Sequence, residues 1–257
     1  MENPLVLFEV QRRVGVVTLN HPEKRNALSL AMLGNLRSVL TQIEEDRQVK
    51  VVVLRAAGSV FSSGHDLKEL SAADESIATA IFALCTNVME AVRKLPQPVI
   101  AMVQGLATAA GCQLAATCDM VMAAEEAKFA TPGVKIGLFC TTPSVALSRA
   151  VPAKKALEML FTGTPITAQE ALAIGLVNHV VPADHLEAET MKIAELIAAS
   201  SSATLRLGKQ AFYEQLPLQR SAAYEFAQRC MVENLASPDA KEGIQAFLGK
   251  RPPQWAD

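Results

Sequence analysis

Three apolar runs constrain this chain more than anything else in it: VVVLRA (51–56), PVIAMV (98–103) and DMVMAA (119–124). A strand with one wet face carries a polar residue at every second position, whereas a near-continuous apolar run is covered on both faces. Helical spacing fills the stretches between. Ser29 opens one helix that runs to about Asp46, with Leu30, Leu33, Leu36, Leu40 and Ile43 recurring along it, and another covers about residues 75–95. Buried strands alternating with helices need crossover connections, so the chain is expected to be α/β. Ahead of the first run, LVLFEV (5–10) and VGVVTLN (14–20), separated by Gln-Arg-Arg, read as a hairpin.

Beyond about residue 142 the pattern turns almost wholly helical. Thr167-Ala-Gln-Glu170 and Asp184-His-Leu-Glu187 both have capping-box spacing, Gly175 is suited to end the helix between them, and Ser237-Pro238 reads as a helix start. This divides the chain into an α/β core over 1–190 and a helical region over 191–257. That region is rich in apolar residues, so it is expected to dock on a core, its own or a neighbour's.

With 257 residues, 50% hydrophobic and 19% charged, the chain has ample material for a core. A net charge of −2 and 5% aromatic residues argue against nucleic-acid binding, and no uninterrupted apolar run is long enough to span a bilayer. Five scattered cysteines without a Cys-x-x-Cys pair fit a reducing compartment rather than a disulfide framework. The start, MENPLVLFEVQRR, shows no secretory signal; the expected location is cytoplasmic, or mitochondrial should a transit peptide precede it. His179 and His185, in the helical region, have no ligand spacing around them, so no metal is expected.

Chemistry concentrates in two small-residue turns, Phe61-Ser-Ser-Gly64-His65-Asp66-Leu67 and Gly105-Leu-Ala-Thr-Ala-Ala110-Gly111-Cys-Gln113. Each follows a buried strand and opens a helix. Either the small residues only let strand and helix pack closely, or their free N–H groups form an anion site. If the two turns converge, the second reading gives paired donors for an oxyanion. Nucleotide-binding glycine signatures are absent.

Taken in order, HPEKRNALS (21–29), FSSGHDLKEL (61–70), VIAMVQGLATAAGCQLAATCDMVMAAEEAKFATPGVKIGL (99–138) and TGTPITAQEALAIGLVNHVV (162–181) resemble the crotonase, or enoyl-CoA hydratase/isomerase, superfamily. SSGHDLKEL, GLATAAGCQL, FATPGV, GLFC and ALEMLFTG resemble one branch of it most. The resemblance implies a crotonase-like spiral of ββα units with a C-terminal helical region for trimerisation or as a lid. It implies a homotrimer or hexamer acting on acyl-coenzyme A in fatty-acid or acyl-CoA metabolism, with no permanently bound cofactor. By motif, the oxyanion donors would be the backbone N–H groups of His65 and Ala110. Lys24, Arg25, Ala27, Leu28, Asp66 and Leu67 would line the coenzyme A site, and Phe247 and Lys250 would close it, often from the neighbouring subunit.

The two glutamates of the family's hydratases are replaced here by Gln113 and Gly133. Hydration needs a base for water and an acid for the α-carbon, and neither residue exchanges a proton near neutral pH. Ordinary hydration is therefore not expected. Cys140 is the remaining candidate base or nucleophile, against the alternative of an inert buried thiol. The His65 side chain is either an acid–base group or turned outward, leaving only its N–H in use. Two functions stay open: an acyl-CoA lyase or isomerase working through a stabilised enolate, and a non-catalytic acyl-CoA-binding or regulatory protein.

Overall fold

The computed structural model describes residues 4–256; Met1–Asn3, part of the start read for a targeting signal, and Asp257 lie outside them. The strands are β1 (Val6–Gln11), β2 (Val14–Leu19), β3 (Val51–Ala56), β4 (Val60–Ser62), β5 (Val99–Val103), β6 (Leu106–Thr108), β7 (Met120–Ala124), β8 (Lys128–Ala130), β9 (Ile166–Thr167) and β10 (His179–Val181). The helices are α1 (Leu30–Glu45), α2 (Leu67–Ala72), α3 (Glu75–Lys94), α4 (Ala110–Thr117), α5 (Thr141–Ala150), α6 (Ala153–Thr162), α7 (Ala168–Ala173), α8 (Leu186–Ala198), α9 (Ser202–Gln215), α10 (Arg220–Ala236) and α11 (Pro238–Leu248).

The large sheet runs β1-β2-β3-β5-β7-β10, with only the β1–β2 hairpin antiparallel. A smaller sheet runs β4-β6-β8-β9. Each long strand β3, β5 and β7 is followed at once by a short strand of the second sheet, so the chain climbs in ββ steps between helices. This is the expected ββα spiral.

The continuous apolar runs have the burial they imply. In β3, Val52 and Leu54 join the core that contains Leu33, Leu36 and Leu40 of α1 and Val88 of α3. Val51 and Val53 point to the other face, where Leu186, Ala194 and Ala198 of α8 cover them. Both faces are dry because helices lie on both. The Ser29 hydroxyl caps α1 by accepting from the Met32 N–H at 3.1 Å. Thr167 and Glu170 form the full capping box, and Ser237 caps α11.

Two expectations change, at His179 and at Asp184. His179 begins β10, which completes the parallel edge of the large sheet, so it is not in a helical tail. Asp184 lies in a 3-10 turn (Ala183–His185) and makes no cap for α8, which starts one residue after His185. The division at 190/191 falls inside α8, which belongs to the sheet's outer layer through Ala198. Among the described helices α3 is long and apolar enough to cross a membrane, yet Ile81, Cys85, Val88, Met89 and Val92 line a face buried in the core.

The last three helices are tied down at a few polar points. On α9, the Lys209 ammonium sits 2.7 Å from the Asp119 carboxylate, and the Tyr213 hydroxyl donates to the same group at 2.8 Å. The buried Ser201 hydroxyl donates to Asp239 of α11 at 2.5 Å. Neither α9 nor α10 has a fully buried residue, and α10 shows no single apolar face.

Candidate active site

The two small-residue turns meet. At Gly64 the backbone has φ +84°, a conformation that L side chains rarely adopt, and a Cβ there would stand 2.8 Å from the Ala109 Cβ and 3.1 Å from the Ala110 nitrogen. Across the same seam, a Cβ on Gly111 would run into the Ser62 carbonyl oxygen. Each turn thus occupies the space that a side chain on the other would need. Ala110 is the first residue of α4, so its N–H has no partner inside the helix, and none elsewhere among the described residues; the His65 N–H is equally unpaired. The α4 dipole adds partial positive charge at the Ala110 end. Ala109 carries the bend at φ 51°, ψ −121°, a strained conformation for a residue with a Cβ.

The 24–28 segment is zipped onto the Gly64 turn. The Leu28 N–H donates to the Gly64 carbonyl at 2.7 Å and the Ser63 N–H donates to the Arg25 carbonyl at 3.0 Å. Arg25 and Asn26 are both left-handed, at φ 52° and 50°. The buried Asn26 amide holds that shape by donating to the Ala57 and Val60 carbonyls, and the Ser62 hydroxyl donates to the Asn26 carbonyl. Lys24 and Arg25 remain exposed, with the Lys24 ammonium 3.9 Å from Asp66. Asp66 caps α2, and Glu69 accepts from the Leu30 N–H at the start of α1, so both carboxylates serve helix starts. Ala27 and Leu28 are buried, which leaves only their backbone for a ligand, whereas Leu67 is exposed. Phe247, 83% exposed, and Lys250, also exposed, lie at and just beyond the end of α11, and within a single chain nothing covers them.

The second half of the site is filled differently from expectation. Gly133 lies in a 3-10 turn (Pro132–Ile136) and does not have positive φ. Its need is for space: a Cβ would stand 2.5 Å from the Leu138 carbonyl oxygen and 2.8 Å from the Cys140 sulfur. No glutamate fits there unless that loop moves. Burial pushes the Cys140 thiol up, against a smaller opposite pull from the Gly133 N–H, so at neutral pH it is a thiol and not a ready base. Cys112 is fully buried beside the Ala130 backbone and pushed up to about 12 by burial.

Gln113, one turn into α4, is buried, and its side-chain oxygen has no hydrogen-bond partner in the protein. For His65, the outward-turned alternative is not the one observed. Its ring is turned inward, edge-on to Phe82 of α3 with centroids 5.2 Å apart, and burial lowers its pKa, leaving it neutral at pH 7. The buried Thr131 hydroxyl, beside Pro132-Gly133, also lacks a partner. Nothing in the sequence singled out Thr131, because a threonine before proline reads as ordinary loop.

The family profile for enoyl-CoA hydratase/isomerase matches residues 9–257. Enoyl-CoA hydratase domain-containing protein 3, mitochondrial, from Mus musculus is 54% identical over 241 residues, 93% of this chain and 80% of that one. This is the branch that SSGHDLKEL and its companion motifs resemble. The crystal structure of the human protein of that name matches with a TM-score of 0.96 at 51% identity, covering 98% of this chain and 100% of the other. An enoyl-CoA hydratase from Mycobacterium smegmatis matches with a TM-score of 0.96 at 46% identity, covering 99% and 100%. The chain belongs to the enoyl-CoA hydratase/isomerase family, with the crotonase fold.

Proposed function

We propose that this protein binds acyl-coenzyme A thioesters and polarises the thioester carbonyl between the N–H groups of His65 and Ala110. The observation that carries this is the seam between the turns: two unpaired donors held together because Gly64 packs against the Ala110 nitrogen. Donors fixed in advance stabilise a developing oxyanion without reorganising when charge appears. Lys24 and Arg25, exposed beside the cradle, suit the coenzyme A phosphates.

Ordinary hydration is not the reaction we propose. The position that would carry one proton-transfer carboxylate is occupied by the Cys140 sulfur and the Leu138 carbonyl, and the other is an amide. What remains is enolate stabilisation, serving a lyase or isomerase, or acyl-CoA binding without turnover. The packed Gly133 favours the binding reading, since the loop has closed over the lost group. The mitochondrial alternative is supported by the names of the vertebrate relatives, and the cytoplasmic expectation finds no support there. A trimer or hexamer is supported by the exposed Phe212, Tyr224, Met231, Val232 and Phe247 on α9–α11.

Calorimetry with acetyl-CoA and a longer acyl-CoA tests the ligand: saturable binding at one site per chain is expected. A folded protein that binds neither would refute the proposal. Light scattering at micromolar concentration tests the assembly, and a monomer would contradict it.

A further inference from the structure

A cavity of about 660 Å³ lies at the other end of the large sheet from the two turns. Val49 and Lys50, just ahead of β3, and Pro96 and Gln97, just ahead of β5, form one side of it, and α9 and α10 form the other. The Gly64 and Ala110 turns come after those strands, so this space is separate from the candidate active site. Its volume is that of a small-molecule site.

Gln97 is 7% exposed, and its side-chain oxygen has no hydrogen-bond partner. The side-chain nitrogen donates to the Ile43 carbonyl at 2.9 Å and to the Val49 carbonyl at 3.3 Å, which fixes which end of the amide is which. An unmet buried acceptor is rare and costs free energy. The charged side chains around the cavity divide by use. Asp46 accepts from the Gln48 N–H, Glu214 accepts from the Gln210 amide, and Lys50 donates to the Ser200 carbonyl. Arg47 and Arg206, with Glu44 and Glu233, make no hydrogen bond or ion pair among the described residues. Two charges of each sign are therefore left for a ligand, a set that favours neither a plain anion nor a plain cation. Leu207 and Phe226 supply apolar wall between them.

We infer that this cavity binds a small zwitterion, a free amino acid or a compound of that class. Its ammonium donates to Gln97 Oε1 and faces the two glutamates, and its carboxylate is held by the two guanidinium groups. A site that pairs both ends discriminates against a compound that lacks one of them. The inference is independent of the thioester reading.

Ala256 lines the cavity and follows Trp255, the chain's single tryptophan, so tryptophan emission reports occupancy. The whole protein is titrated with 5-aminopentanoate and the free amino acids, and with pentanoate and pentylamine, which each keep one charged end. At least one zwitterion is expected to change the emission saturably and to bind tenfold or more tighter than either single-charge compound. In Arg47→Gln with Arg206→Gln and, separately, Glu44→Gln with Glu233→Gln, all exposed positions, that advantage should fall below threefold. No saturable binding of any zwitterion, by emission or by calorimetry, would overturn the inference. So would equal affinity for the single-charge compounds, or an advantage unchanged in both folded variants.

Discussion

The two halves of the candidate site were treated in opposite ways. The donor half is built: Gly64 and Gly111 let the turns interlock, and Ala109 carries backbone strain to aim the Ala110 N–H. The proton-transfer half is closed: an amide stands at 113, and at 133 a glycine is roofed by the Leu138 carbonyl and the Cys140 sulfur. If the turns hold a thioester as proposed, the difference teaches that a binding cradle and the chemistry performed in it are separable. Strain is held where two N–H groups must converge, while the space for a carboxylate has been given to packing.

The largest effect should come from wedging the donor half apart. Gly64→Ala places a Cβ 2.8 Å from the Ala109 Cβ at φ +84°. Left-handed backbone costs about 1–2 kcal/mol for a residue with a Cβ, and overpacking adds roughly 1–3 kcal/mol. Denaturant unfolding should show that loss, and acyl-CoA affinity should fall with it. An unchanged midpoint would mean that the turns are not held as described.

Gly133→Glu strains the closed half next, by roughly 1–3 kcal/mol of overpacking. Gln113→Glu with Gly133→Glu should give little hydration of a short enoyl-CoA, and adding Cys140→Ala, which removes one of the two obstructing atoms, should raise it. Strong hydration by the unmodified protein, followed through loss of the enoyl absorbance, would contradict the closed half outright.

Smaller effects concern titration. The His65 pKa is lowered by burial, so the unfolded chain binds more protons than the folded one as pH falls through the unfolded value of about 6.5. This contribution to stability is complete above that value and lost as pH drops toward the lowered folded one. His65→Phe should flatten the stability profile below about pH 6.5; an identical slope in parent and variant would count against the inward ring. The smallest change is expected at Cys140. Its raised pKa predicts slower alkylation at pH 7 than a free-thiol peptide, recovering as pH rises. Fast labelling at neutral pH would restore it as a candidate nucleophile.

Much of the fold was legible because long elements carry their own period. VVVLRA and PVIAMV gave β3 and β5, and Ser29 with the leucines at 33, 36 and 40 gave α1. The short strands β4, β6 and β8 were not legible as strands, since three residues show no period and pair only after the long strands have placed them. β10 was hidden for the same reason, among helices. In the site, the glycines marked the donor half, because close approach restricts which residue can stand there. The inward His65 ring, the unpaired Thr131 hydroxyl and the roof over Gly133 depend on neighbours distant in the chain. Gly133 in particular stands where it does because a Cβ would come within 2.5 Å of the Leu138 carbonyl oxygen.

The convergence of the two N–H groups is tested most directly by the carbonyl stretch of an isotope-labelled acyl-CoA bound to the protein. Two donors on one oxygen weaken the C=O bond, so the band should move to lower frequency than in water, and the shift should shrink in Gly64→Ala at saturating ligand. A bound thioester whose carbonyl band matches the one in water would contradict the paired-donor cradle.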